Sequence, residues 1–133
     1  MADLRNVRWL AGLLEGEGCF ISQHHRNGPG PTRYMQAAIQ LVMTDGDVVE
    51  RAASVLGARF FKTKHITKGG KSTYRTVVHG PRAVGWMMML WPLMGIRRRG
   101  KITSIINLWK SEGGRPNMVK YTKRYMPQEV IYG

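Results

Sequence analysis

The sequence has one cysteine, Cys19, and no apolar run near the roughly 18 residues that a membrane span requires. A lone thiol excludes an internal disulfide framework and any zinc site built on cysteines. The richest apolar stretch, Trp86 to Met94, is interrupted by Pro92, so no membrane association is expected. Acidic residues are scarce as well: 8 Asp and Glu stand against 21 Lys and Arg, a net charge of +13. Such an excess repels itself unless a polyanion neutralises it, which makes nucleic acid the expected partner. Nor is a secretory leader expected, because Met1-Ala2-Asp3 runs straight into charged residues and the apolar segment that follows ends in two glutamates. An intracellular, reducing location is the expectation.

With 133 residues, 43% of them hydrophobic, the chain has material for one core and too little for two. A single domain over 1–133 is expected, with a core of about 4–112 and a basic tail over 113–133. Leu4, Val7, Trp9, Leu10, Ala11, Leu13 and Leu14 leave the segment Leu4 to Gly16 hardly any polar face, so a helix buried on several sides is predicted. Cys19 to His25 reads as a strand, and Asn27-Gly28-Pro29-Gly30-Pro31 as the turn of a hairpin. In the return strand Met35, Ala37, Ile39, Leu41 and Met43 alternate with Tyr34, Gln36, Ala38, Gln40 and Val42, which separates a packed face from a mostly polar one. Thr44-Asp45-Gly46-Asp47 offers capping residues to a helix that ends at Gly57. A second strand pair, Arg59 to Ile66 and Ser72 to His79, is joined through Lys68-Gly69-Gly70-Lys71. Gly80-Pro81 opens a helix running to Met94 with Trp86, Met87, Leu90 and Trp91 in the core. The basic link Arg97-Arg98-Arg99-Gly100-Lys101 then leads to a last helix, Ile102 to Lys110.

The segment Trp9-Leu10-Ala11-Gly12-Leu13-Leu14-Glu15-Gly16-Glu17-Gly18 breaks two rules at once. Gly12 and Gly16, four apart, lie on one helix face with Trp9 and Leu13 beside them, and each glycine weakens a helix by roughly 1 kcal/mol relative to alanine. Two in one short helix suggest that another backbone packs closely there. Glu15 and Glu17 sit at the C-terminus, where the helix dipole is already negative. A bound cation is the simplest way to reverse that sign.

Leu10 to Gly18 resembles the motif of the LAGLIDADG homing endonucleases, with the opening Leu-Ala-Gly-Leu and the closing glycine in place and glutamate at both acidic positions. The order of elements, the Pro92 to Lys101 helix junction with its basic cluster and the single-domain length extend the resemblance over most of the chain. It implies an α+β fold of order αββαββα, in which an antiparallel sheet forms a DNA-binding saddle and helices cover its other face. One motif copy implies a homodimer, with Trp9, Gly12, Leu13 and Gly16 at the interface and two Glu17 carboxylates side by side near the dyad. By the same resemblance Glu17, with the Gly16 carbonyl, holds a divalent metal. Hard oxygen ligands suit magnesium, with manganese able to substitute and calcium supporting binding without cleavage. Asp45 falls where the family carries a polar residue that orders water, and Arg97 where it carries a basic residue near the scissile phosphate. Asp45 is equally placed to be a helix N-cap, and Arg98, Arg99 or Lys101 could take the role of Arg97. Glu15 is expected to serve structure, by capping or bridging near the helix end.

The outer sheet face would carry Ile21, Gln23 and His25, then Tyr34, Gln36, Gln40 and Val42, then Lys62, Lys64, Thr73 and Arg75, with Lys71 at the turn and Lys120, Lys123 and Arg124 in the tail. Gln pairs with adenine, Arg and Lys with guanine, and Ile and Val with thymine methyls, so these residues suit a reader of double-stranded DNA. Phe20 is assigned inward only by the family pattern. The function expected is a site-specific, metal-dependent endonuclease making a staggered double-strand break in a long, nearly palindromic site. The competing expectation is a DNA- or RNA-binding protein of the same fold, an intron maturase or regulator, with RNA as a partner only in that case.

Overall fold

The computed structural model describes residues 3–26 and 33–112. The expected turn around Asn27 to Pro31 and the tail residues Lys120, Lys123 and Arg124 lie outside them. The elements are α1 (Leu4–Glu17), β1 (Gly18–Arg26), β2 (Arg33–Met43), α2 (Gly46–Leu56), β3 (Arg59–Ile66), β4 (Ser72–His79), α3 (Pro81–Leu90), a 3-10 turn (Trp91–Leu93) and α4 (Ile96–Ser111). The strands form one antiparallel sheet in the order β1-β2-β4-β3. No helix among the described residues is long and apolar enough to cross a membrane.

Alternation in β2 sorts the layers. Met35, Ala37, Ile39 and Leu41 are buried and join Phe20 of β1 and Val78 of β4 against Val7, Leu10, Ala11 and Leu14 of α1. The other helices close the same core through Val49, Ala52 and Leu56, through Ala83, Val84, Met87 and Leu90, and through Ile102 and Ile105. Phe20 pairs with Ile39 and is 3% exposed, which fixes the register of β1 as the resemblance implied. Ile39 sits at the middle of this layer with no exposure. Ile39→Ala should therefore cost about 3 kcal/mol through lost burial and a residual cavity, read as a lowered urea midpoint with unchanged slope.

Three expectations are corrected. Helix α1 buries only one side: Arg5, Arg8, Gly12 and Gly16 are exposed, and Trp9 and Leu13 are half-buried. Helix α3 stops at Leu90, because Pro92 converts the chain into a 3-10 turn, and Trp91 is 39% exposed rather than core. The indole N–H of Trp91 instead donates to Thr103 Oγ1 at 3.1 Å. Finally, the basic link is helical, since α4 begins at Ile96 and the Arg99 N–H donates to the Gly95 carbonyl at 2.9 Å.

Candidate active site and nucleic-acid face

Helix α1 ends on Glu17, and the chain enters β1 at once: the Gly18 N–H donates to the Leu14 carbonyl while Gly18 itself is already extended. A Cβ on Gly18 would come within 2.9 Å of the Leu14 backbone, so the turn needs glycine for space. Glu17 is exposed and makes no hydrogen bond or ion pair among the described residues. Gly18 pairs with Leu41 and β2 ends at Met43, so Asp45 lies past the same end of the sheet from which β1 starts. Asp45 occupies the N-cap position of α2 but makes no side-chain capping bond, and it is exposed. The capping role open to it from sequence is therefore not taken up by its carboxylate.

Helix α4 arrives at this end too. Glu15 Oε1 accepts from the Gly95 N–H at 3.2 Å, and Arg98 Nε donates to the Glu15 carbonyl at 3.3 Å. The two carboxylates at the C-terminus of α1 thus find different solutions. Glu15 meets the positive N-terminus of α4, so no cation is needed to explain it; Glu17 meets no partner among the described residues. Among the basic candidates, Arg98 is held to Glu15 with its guanidinium 5.9 Å from the Phe20 ring, and Arg99 donates to the Pro92 carbonyl at 3.0 Å and lies over Trp91. Arg97 and Lys101 are exposed and make no such bond among the described residues. Three arginines in the first turn oppose the dipole, which favours an anion arriving there from outside.

The metal-binding capacity of one copy is partial. No group of three or more His, Cys, Asp or Glu among the described residues could hold an ion. Glu17 and the Gly16 carbonyl are hard oxygen donors of the kind magnesium takes, and magnesium completes its shell with phosphate and water rather than a protein cage. These residues fit a shared ion better than an enclosed one.

Registry arranges the sheet face turned away from the helices in rows across the strands. Val42, Arg75 and Phe61 form one row, and Cys19, Gln40, Val77 and Arg59 the next. Ile21, Ala38 and His79 follow, then Gln23 opposite Gln36. Of the expected reading residues, Ile21, Gln23, Gln36, Gln40, Val42 and Arg75 are on this face and at least partly exposed. Lys71 is exposed in the β3–β4 turn. The side chains of His25 and Tyr34 lie outside the described residues.

Two assignments are corrected. Lys62 pairs with Tyr74, whose ring stacks on Phe60, and so shares the helix-side face; Lys64 falls within the register shift between Lys62 and Ile66, where no pairing fixes its face. Thr73 is on the outer face but only 6% exposed, with its hydroxyl bonded to Thr63 Oγ1 and to the His65 carbonyl. Sequence reasoning chose lysines for their charge, whereas the alternation of Arg59, Phe61 and Thr63 against Arg75 marks the true outer row. Phe61 and Arg59 were missed in that way. Phe61 lies 5.8 Å from the Arg75 guanidinium, and Arg75 Nε is buried without a hydrogen-bond partner.

The expected interface face of α1 is open. A Cβ at Gly12 or Gly16 would meet nothing within 4 Å among the described residues, so no contact there accounts for either glycine. Trp9 is partly engaged at home, with the Arg51 guanidinium of α2 lying 3.9 Å over its ring.

Solved structures share this fold. The chain matches the homing endonuclease I-CvuI bound to a DNA target, in magnesium with a TM-score of 0.59 and in calcium with 0.62, at 16% identity, covering 98% of this chain and 84% of that one. It has the LAGLIDADG homing-endonuclease fold. An archaeal intron-encoded homing endonuclease complexed with DNA shares the fold with a TM-score of 0.60 at 15% identity, over 96% of this chain and 83% of that. The LAGLIDADG homing endonuclease I-LtrWI bound to target DNA matches with a TM-score of 0.56 and 18% identity over 94% of this chain, but only 44% of its own length. I-LtrWI is thus more than twice the length of this chain. No family model and no curated protein sequence matches.

Proposed function

We propose that the chain is a site-specific, divalent-metal-dependent DNA endonuclease of the homing type, acting as a homodimer on a long, nearly palindromic site and leaving a staggered double-strand break. The observation that carries this reading is Glu17: an exposed carboxylate without a partner among the described residues, at the negative end of α1 and next to Gly16 on a glycine face that no described residue covers. A binding protein would gain nothing from a carboxylate aimed at phosphates.

Two copies meeting through Trp9, Gly12, Leu13 and Gly16 would bring their α1 ends, and so their Glu17 carboxylates, together. Glu17 and the Gly16 carbonyl would hold magnesium or manganese, which supplies an activated water and stabilises charge on the phosphate. Asp45, free of its cap, orders water at that end. Arg97, with Lys101 behind it, is the cation offered to the scissile phosphate once Arg98 and Arg99 are held by main-chain carbonyls. Each outer sheet face lies along a major groove, which is wide enough for a two-stranded ribbon.

The test is incubation of the protein with a randomised pool of long DNA duplexes, in magnesium and separately in calcium. Double-strand cutting of one sequence class in magnesium, with uncut binding in calcium, is expected. Site-specific binding with no cutting in magnesium or manganese would replace this reading with that of a regulator or maturase.

Reading residues are separable on the selected site. Arg75→Ala should weaken discrimination at one base pair by about tenfold to a hundredfold. Lys62→Ala, on the other face, should leave the base preference unchanged at every position. A specificity profile by competitive sequencing measures both, and base selectivity lost with Lys62 would overturn the register-based assignment.

A further inference from the structure

Glu15 joins two helices that each carry a proposed catalytic group. Its carboxylate lies at the N-terminus of α4, where the N-cap residue is Gly95, a residue with no side chain to cap with. The carboxylate of α1 does that work instead: Oε1 accepts the Gly95 N–H. Arg98 closes the loop by donating to the main-chain carbonyl of the same Glu15. Gly95 is matched to this visitor, since a Cβ there would stand 2.5 Å from Oε1. The second oxygen, Oε2, is buried without a hydrogen-bond partner, so desolvating the carboxylate is not fully compensated by its bonds. Burying a carboxylate with one oxygen unsatisfied is costly, and a residue kept only for stability would be better replaced.

The contact stands two residues before Glu17 on one helix and two before Arg97 on the other, roughly 3 Å of helical rise in each case. We infer that Glu15 is a positioning residue for the endonuclease reaction, fixing where Arg97 stands relative to Glu17, and so acts on the rate of cleavage rather than on DNA affinity. The inference rests on the function proposed above. Misplacement of a reacting group by an ångström can cost about a hundredfold in rate.

The experiment compares Glu15→Ala, Glu15→Gln, Gly95→Ala and the Glu15→Ala/Gly95→Ala pair in the full chain. It reads single-turnover cleavage at saturating DNA in magnesium, the Kd in calcium, and hydrogen exchange of the amides from Gly95 to Arg99. Glu15→Ala should cleave about thirtyfold more slowly with Kd within about twofold. Glu15→Gln, which keeps an acceptor oxygen, should recover to within about threefold of the parent. Gly95→Ala should be slow alone, because its methyl displaces the carboxylate, yet add nothing once Glu15 is alanine, as coupled sites do not sum. In Glu15→Ala the Gly95 amide should lose its protection without DNA or metal present.

A Glu15→Ala protein that cuts at the parental rate would overturn the inference, and so would rate and affinity falling together. If the parent chain itself cuts no DNA, the endonuclease reading fails. The exchange data then decide the coupling alone: retained protection of Gly95 in Glu15→Ala refutes the link between the helices, and its loss upholds it.

Discussion

Glu17→Gln is expected to slow double-strand cleavage in magnesium by about a thousandfold or more, roughly 4 kcal/mol of transition-state stabilisation. Glutamine keeps the shape of the side chain and removes its charge. Because Glu17 is exposed and makes no bond among the described residues, the fold has little to lose, and the thermal midpoint should not move. Affinity gives a second and more telling sign. Without metal, a carboxylate beside phosphates is repulsive, so Glu17→Gln should bind its site in chelator as tightly as the parent or more so. In calcium the order should reverse or level out. Filter binding in chelator and in calcium, beside single-turnover cleavage, measures all three. A variant that cuts normally removes Glu17 from the chemistry, and one that binds more weakly in chelator makes it a DNA contact.

Gly12→Gln should separate folding from assembly. No atom of the described residues lies within 4 Å of the position its Cβ would take, and glutamine favours a helix over glycine by about 0.5 to 1 kcal/mol. The single protomer should be as stable as the parent or slightly more so. Between two α1 helices the same side chain would hold the backbones apart, because small residues are what allow that approach. Sedimentation should then show a monomer where a dimer is expected of the parent, with double-strand cutting lost and near-normal circular dichroism. A Gly12→Gln protein that still sediments as a dimer would place the interface elsewhere.

The inner sheet face was legible because β2 alternates cleanly over Met35 to Met43 and one face is wholly buried. Harder to see was anything decided by a neighbour distant in sequence. Arg97 to Arg99 read as a link because basic residues oppose a helix N-terminus, yet α4 starts there, held from outside by Glu15. On α1, Gly12 and Leu13 look the same in sequence whether a face is covered by the chain's own core or left open, so burial on several sides was expected and one side was found. Strand β3 misled for another reason: two more residues lie between Lys62 and Ile66 than between their partners Tyr74 and Ser72, and charge was trusted over parity. The catalytic candidates fared differently. Glu17, Asp45 and Arg97 come from three elements, and it is the β1–β2 registry and the Glu15–Gly95 bond that bring those elements to one end of the sheet.

The irregularity of β3 has a use of its own. In the order β1-β2-β4-β3, strand β3 has a pairing partner on one side only, and an unpaired row of main-chain groups invites other chains to add to it. Here the registry of that rim slips between Lys62 and Ile66, and Arg59, Lys62, Lys64 and His65 along it are all exposed. Charge and irregular pairing are means by which β proteins keep such rims from aggregating. Lys62, which does not face the reading surface, would on this account serve to keep that rim unpaired.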